Sequence, residues 1–325
     1  MKRRAWAGLA VALAAGCGTP AAAPTVRVTI PRSATLDQVT DSLVARGAIT
    51  SPRWFRFYAR LMGKEAAIRA GTYDVPRGAS APTALRILTI GRPAEQRLVV
   101  PEGLMLSEVA RLIERQLGIP AESVIRTARD PALLARFGIP ATTAEGYLYP
   151  STYLVPVGAG AADVVRQMLN EFASRWQPAW DARLDSLGLS RHQIVTLASI
   201  IEGEVRYPPD RPYVSSVYHN RLRRGMRLQA DPTVIYALGR RRRLYEKDYQ
   251  TRSAHNTYLI DGLPPTPIGQ PSAASIEAAL YPARTNFLYL VARPDGKHIF
   301  SRNLREHLKA VAEARNGLSP RPPPP

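Results

Sequence analysis

Val26 to Ile49 reads VRVTIPRSATLDQVTDSLVARGAI, and Gln96 to Ile119 reads QRLVVPEGLMLSEVARLIERQLGI. The two stretches align without a gap, with Arg27/Arg97, Pro31/Pro101, Leu36/Leu106, Val39/Val109 and Ile49/Ile119 identical. Internal similarity on this scale marks a repeated supersecondary unit. Each copy opens on a short apolar stretch that predicts a strand, turns at its proline, and continues with apolar residues at helical spacing. Those residues are Leu36, Val39 and Leu43 in the first copy and Leu106, Val109, Leu112 and Ile113 in the second, predicting helices that begin near Thr35 and Leu106. Two copies are too few for a solenoid, so they read as one small α+β module or a paired one. Between them, Trp54 to Met62 is aromatic and helical in pattern, and Ala70-Gly71-Thr72-Tyr73 reads as a turn into a strand. Aromatics in such a place suit a core.

The 325 residues include 44 Lys plus Arg against 26 Asp plus Glu, a net charge of +18, and are 45% hydrophobic. That supplies apolar material for about two folding units and excludes disorder throughout. The lone cysteine, Cys17, excludes an internal disulfide framework and any CxxC metal site. Such a positive balance calls for an anionic neighbour: nucleic acid, phospholipid or an acidic envelope polymer. Lys2, Arg3 and Arg4 precede an apolar run from Ala5 to Ala15, which reads as an export signal. Export disfavours nucleic acid and leaves the envelope polymer or the membrane. Three readings of the segment stay open. Leu13-Ala14-Ala15-Gly16-Cys17 suits a lipoprotein signal with Cys17 lipidated, Ala21-Ala22-Ala23 suits ordinary cleavage, and the segment as a retained anchor is broken by Pro20 and Pro24.

Glu145 to Tyr153, EGYLYPSTY, predicts a loop that exposes aromatic faces and hydroxyls as a sugar groove does, although Pro–Tyr packing explains it equally. Ala161 to Arg175 and Pro178 to Leu187 are helical in pattern. Ser190-Arg191-His192-Gln193 is a capping box opening a helix to about Val205. At about 100° per residue, Val195, Ala198 and Val205 fall within roughly 60° of Glu202, inside the buried stripe, while Glu204 lies about 200° away and faces elsewhere. A carboxyl on that stripe serves either a structural salt bridge to one of the arginines or catalysis with a raised pKa. Burial and the negative helix end both favour the protonated acid.

Further on, Tyr213 to Arg223 predicts a helix ended at Gly225, and Asp231 an N-cap with Pro232 as first helical residue. Arg240 to Arg243 reads as a solvated loop or a holder of phosphate or carboxylate. Asn256 to Ile268 is a rigid, proline-rich loop. Ser272 caps a helix, Phe287 to Ala292 and Lys297 to Ser301 form a hairpin, and a last helix follows Asn303.

In LASIIEGE (Leu197 to Glu204), VSSVYHNRLRRGMRLQADPTVIY (Val214 to Tyr236), NTYLIDGL (Asn256 to Leu263) and YPARTNFLYLVARPDGKHIFSRNLREHLK (Tyr281 to Lys309), together with the loop Glu145 to Tyr153, the chain resembles the endolytic murein transglycosylase family, also called MltG or YceG-like. The resemblance implies an α+β fold in which a small LysM-like α/β module at 25–94 precedes a mixed, helix-rich α+β catalytic domain at 95–318. A signal or anchor at 1–24 and a Pro-rich tail at 319–325 flank them. It implies a lyase that cuts the β-1,4 bond between N-acetylmuramic acid and N-acetylglucosamine in nascent strands, leaving a 1,6-anhydro end and helping to terminate glycan elongation. In that comparison Glu202 falls on the catalytic glutamate, and Asn220, Gln229, Asp231, Thr233, Asn256 and Tyr258 are candidates for the substrate groove. The family needs no metal or other cofactor. The implied partners are peptidoglycan strands, the membrane through the anchor or lipid, and peptidoglycan synthases, with no nucleic acid. The implied address is the bacterial cell envelope, anchored in the inner membrane and facing the periplasm. Gly203 stands where the family often has a cation. A cell-wall-binding scaffold of the same fold without turnover is the rival reading.

Overall fold

The structure, a computed structural model, describes residues 24–316. The export segment with Cys17 and the Pro320–Pro325 tail fall outside the described residues. The chain divides into two compact units between Ala94 and Glu95.

The first unit runs β1 (Thr25–Ile30), α1 (Leu36–Ala45), α2 (Pro52–Leu61), β2 (Gly71–Pro76) and α3 (Ala81–Ile90). β1 pairs antiparallel with β2, Val28 opposite Tyr73. Strand alternation turns Val28 and Ile30 inward, where they join Val39, Leu43, Phe55, Tyr73 and Leu88 in one core. α1 starts where it does because Thr35 and Gln38 satisfy each other's backbone N–H groups, at 3.3 and 2.9 Å. The expectation of core aromatics holds for Phe55; Trp54 and Phe57 on the same helix are exposed.

The second unit opens with β3 (Glu95–Val99), α4 (Leu106–Leu117), α5 (Ala121–Thr127), α6 (Pro131–Arg136), β4 (Thr152–Pro156) and α7 (Ala161–Arg175). β3 pairs antiparallel with β4, Leu98 opposite Tyr153. Each copy of the repeat therefore closes on its own second strand. Equivalent positions do equivalent work: Val28/Leu98, Val39/Val109 and Leu43/Ile113 are all at most 2% exposed.

The loop before β4 overturns the expectation of exposed aromatic faces. Glu145, Tyr147, Leu148, Tyr149 and Tyr153 are all buried. The Glu145 carboxyl accepts from the backbone N–H of Leu106 at 2.9 Å, from Gln270 Nε2 at 2.6 Å and from the Tyr236 hydroxyl at 3.3 Å. It thereby caps α4 from inside the core, and burial pushes its pKa up to about 8. The Tyr147 hydroxyl meets His192 Nδ1 at 2.9 Å. Gly146 between them has φ +84°, and a Cβ there would sit 2.4 Å from Pro267 Cβ. Gly146→Ala is expected to destabilise this unit by about 2–4 kcal/mol through strain and overpacking, read as a lowered urea midpoint; an unchanged midpoint would show that the loop yields.

The remaining elements are α8 (Pro178–Leu187), α9 (Arg191–Glu204), α10 (Arg211–Arg223), α11 (Asp231–Ala237), α12 (Ala273–Leu280), β5 (Tyr289–Ala292), β6 (His298–Ser301) and α13 (Leu304–Asn316). The Ser190–Gln193 capping box is present at 3.2 and 2.8 Å. α9 is the axis of the unit, packed by α8, α10, α11 and α12. Its eight residues Ile194 to Ile201 are all buried, Thr196 and Ser199 included. The two hydroxyls donate to backbone carbonyls of their own helix, His192 at 2.8 Å and Thr196 at 2.7 Å. Over those eight residues the helix has no wet face, so a stripe is the wrong picture for them.

Two further expectations change. Ala230 takes the cap position and Asp231 is the first helical residue of α11, which leaves its carboxylate for other partners. The Arg240–Arg243 run is only partly a solvated loop: Arg241 pairs with Glu108 at 2.8 Å and Arg242 forks onto Asp248 at 2.6 and 2.7 Å. The strands form three separate two-stranded sheets among the described residues, and a mixed α+β fold results. No helix among those residues is long and apolar enough to cross a membrane.

Candidate active site

Where α9 leaves the core, its last turn carries two carboxyl groups into different surroundings. Glu202, its side chain 8% exposed, accepts from Arg211 Nη2 at 3.4 Å, from the Ser272 backbone N–H at 3.0 Å and from the Ser272 hydroxyl. Ser272 caps α12 and Arg211 opens α10, so Glu202 ties three helix ends together. These are the surroundings of the salt-bridge alternative.

Glu204, 200° further round, faces a cleft of about 770 Å³ that it shares with Tyr218, Arg221, Gln229, Asp231 and Tyr258. β5, the residues after it and α13, with His307, form another wall. Tyr218 hydrogen-bonds the Glu204 carboxyl. Asp231 accepts from the Tyr258 hydroxyl at 2.7 Å and, more weakly, from Tyr249 at 3.5 Å, while the two rings lie 4.6 Å apart. Gln229 holds a left-handed backbone, φ +47°, with its N–H on the Thr257 carbonyl at 3.1 Å. A non-glycine residue kept there stores strain, and such strain concentrates at functional sites.

Arg221 builds the floor. It is 7% exposed and donates to the carbonyls of Leu288 at 2.7 Å and Leu228 at 2.8 Å, with Gln229 Oε1 at 3.4 Å and the Tyr289 ring 5.3 Å away. One planar guanidinium thus joins α10, the segment before α11 and the approach to β5.

Burial pushes the Glu204 pKa up to about 7, the Asp231 charge adds to that, and Tyr218 and Arg221 oppose it. The carboxyl therefore exchanges a proton near neutrality, as acid–base catalysis requires. Burial raises the Tyr218 and Tyr258 phenols far above their ordinary range, so both stay donors. Burial lowers His307, and its ring stacks 5.2 Å from Tyr289.

Of the residues expected in the groove, Gln229, Asp231 and Tyr258 meet in this cleft, around Glu204 and not around Glu202. Asn220, Thr233 and Asn256 do not line it; they hold its backbone. Asn220 Nδ2 donates to the carbonyls of Thr285 and Phe287 at 2.9 and 2.8 Å. Thr233 donates to the Ala230 carbonyl at 2.6 Å and meets Thr257 Oγ1 at 2.9 Å. Asn256 donates to Tyr249 and Thr251 carbonyls and accepts from the Tyr258 N–H at 3.0 Å. Glu204, Tyr218, Arg221 and His307 are the cleft residues that sequence reasoning passed over. The available signal was the pairing of two acids, two residues apart, at the end of an apolar helix.

A chemically competent arrangement results: a proton donor and acceptor poised near pH 7, a fixed neighbouring carboxylate able to balance positive charge, and several hydroxyl and amide groups suited to a polyhydroxylated substrate.

The model of the YceG-like family matches residues 28–313. A Bacillus subtilis protein named endolytic murein transglycosylase is 30% identical over 303 residues, 88% of this chain and 84% of its own length. A Streptococcus pneumoniae protein of the same name is 28% identical over 321 residues, and the chain covers 58% of that longer protein. A crystal structure of a yceG-like protein from Listeria monocytogenes superimposes with a TM-score of 0.61 at 32% identity, over 88% of this chain and 98% of that one.

Proposed function

The chain belongs to the YceG-like family, and we propose that it is an endolytic murein transglycosylase in which Glu204 is the acid and base. The supporting observation is a carboxyl with a pKa of about 7 facing a cleft beside Asp231, Gln229 and Tyr258. The substrate is a nascent peptidoglycan strand, cut at the β-1,4 bond between N-acetylmuramic acid and N-acetylglucosamine. Protonated Glu204 gives its proton to the leaving O4 as the C1–O4 bond breaks. The resulting carboxylate takes the proton of the muramic acid C6 hydroxyl as that oxygen bonds to C1. No water is consumed, and the intramolecular nucleophile removes the need for a second catalytic carboxylate. Asp231, fixed by two tyrosine hydroxyls, balances the positive charge that develops at C1.

The catalytic role thereby passes from Glu202 to Glu204, and Glu202 keeps the structural one. Residues 1–24 attach the chain to the inner membrane, by lipid on Cys17 or as an anchor, and residues 25–94 are a LysM-like module that positions the catalytic unit along the glycan in the periplasm. Strand cutting there helps terminate elongation beside the synthases.

Early products separate this reading from the scaffold: un-crosslinked strands should give fragments of intermediate length from the first minutes. Intact strands with retained binding would favour the scaffold, and disaccharides alone would mean cutting from the ends. A pH dependence follows as well. Because the starting enzyme needs the protonated acid, kcat/KM should fall as pH rises through about 7. Asp231→Asn removes a charge that raises the Glu204 pKa, so its falling limb should move to lower pH. A limb that stays in place or moves up would contradict the coupling.

A further inference from the structure

We propose that the first unit docks on an anionic membrane surface through one side of α2. At about 100° per residue, PRWFRFYARL divides into three stripes around the helix. Phe55 and Ala59 face the core and are fully buried. Arg53, Arg56 and Arg60 make a second stripe. Trp54, Phe57 and Leu61 make the third, continued by Met62 just past the helix and by Ile90 at the end of α3. These five are 49, 55, 66, 46 and 68% exposed. The Trp54 and Phe57 rings stack 5.4 Å apart. Single exposed apolar residues are ordinary, whereas a gathered patch marks an interaction surface.

Charge selects the occupant. Residues 24–94 contain eleven Lys or Arg against four Asp or Glu. Arg56 and Arg60 lean on Asp37 and Glu65, each at 3.2 Å. Arg53, Lys64 and Arg86 make no ion pair among the described residues. Lys64 and Arg86 border a groove of about 330 Å³ whose other walls include Tyr58, Met62 and Ile90. Cations beside aliphatic and aromatic tips suit phosphate headgroups above acyl chains, with tryptophan at headgroup depth. A glycan offers no negative charge to the arginines along its sugar rings and little for Leu61, Met62 and Ile90 to bury against. A second copy would set arginine against arginine.

The described chain begins beside the turn that leads into α2. The Pro24 carbonyl accepts from the Arg77 N–H at 2.9 Å, and Gly78 and Ala79 donate to Gly47 and Ala48 at 3.0 and 2.7 Å. Ser51 caps α2 three residues later. Residues 1–23, with their basic start and apolar run, precede Pro24, and Pro24 lies at the end of the unit where α2 begins. The proposal rests on the membrane attachment of that segment and does not depend on Glu204.

The test uses the full chain carrying Trp6→Phe. Trp176 and Trp180 are only 8 and 4% exposed, so Trp54 becomes the surface reporter. Mixed with vesicles of phosphatidylcholine and phosphatidylglycerol whose acyl chains carry bromine, the chain should show quenched emission, and adding Trp54→Phe should remove that quenching. Replacing Arg53, Lys64 and Arg86 with Gln should weaken the docking equilibrium that the quenching reads by about fivefold per cation, and high salt or vesicles of phosphatidylcholine alone should weaken it too. Equal quenching with and without Trp54 would overturn the proposal. So would Trp54 emission that responds, without vesicles, to glycan strands or to protein concentration, which would make the patch a sugar site or a self-association surface. The quenching is read without any glycan turnover, so failure here and failure of the Glu204 assignment are separately visible.

Discussion

Glu204→Gln is expected to lower the rate of strand cutting by a factor of about 10²–10⁴, the usual worth of a positioned acid–base group. The amide fills the same space and still meets the Tyr218 hydroxyl, but it neither donates a proton to O4 nor takes one from O6. Folding should survive. The Glu204 pKa in the folded protein, about 7, lies above the ordinary carboxyl value of 4.5. The folded state therefore holds its proton more tightly than the unfolded state does. That contribution to stability is full below pH 4.5, fades as pH rises through about 7, and is absent above it. Wild type should thus lose thermal stability relative to Glu204→Gln across this window, a comparison that melting curves at a series of pH values provide. Parallel curves for the two proteins would mean that Glu204 titrates at its ordinary value, and the acid–base role would go with it.

The second large effect is on stability. Arg221→Ala should cost about 3–5 kcal/mol, the range for dismantling a buried charged hydrogen-bond centre. The arginine donates to carbonyls of Leu288, Leu228 and Arg227, and Leu228 itself is fully buried. Arg221→Lys should recover only part of the loss, since one ammonium lacks the planar fork that reaches both Leu288 and Leu228. Because Gln229 and Glu204 lie along the same cleft wall, cutting should fall in both variants. Urea unfolding reads the stability directly; a loss below about 1 kcal/mol for the alanine variant would show that the carbonyls find other donors.

Helices, hairpin and repeat were legible in the sequence because they rest on local rules. Leu36, Val39 and Leu43 announce α1 by spacing, and Ser190 with Gln193 announces α9 by its cap. Pro294-Asp295-Gly296 announces the turn between β5 and β6. The site was less legible, for three physical reasons. α9 is buried on every side from Ile194 to Ile201, so the wheel that set Glu202 inside a buried stripe had no wet side there to contrast with Glu204. The loop Glu145 to Tyr153 has the residue types of a sugar groove, but Tyr147 and Glu145 find partners in His192, Tyr236 and Gln270, distant in sequence. Asn220, Thr233 and Asn256 carry the groups that would bind a sugar, and the same groups satisfy backbone carbonyls equally well. Only the three-dimensional arrangement separates a residue that faces the cleft from one that holds its wall.

The most direct measurement is the mass of the new glycan ends made by wild type, Glu204→Gln and Glu202→Gln from un-crosslinked strands. Wild type should leave muramic ends one water lighter than hydrolysis would, Glu204→Gln should leave the strands intact, and Glu202→Gln should make the same light ends, with its deficit seen in a lower melting temperature. Light ends from Glu204→Gln together with silence from Glu202→Gln would return the catalytic role to the other carboxyl and contradict the account.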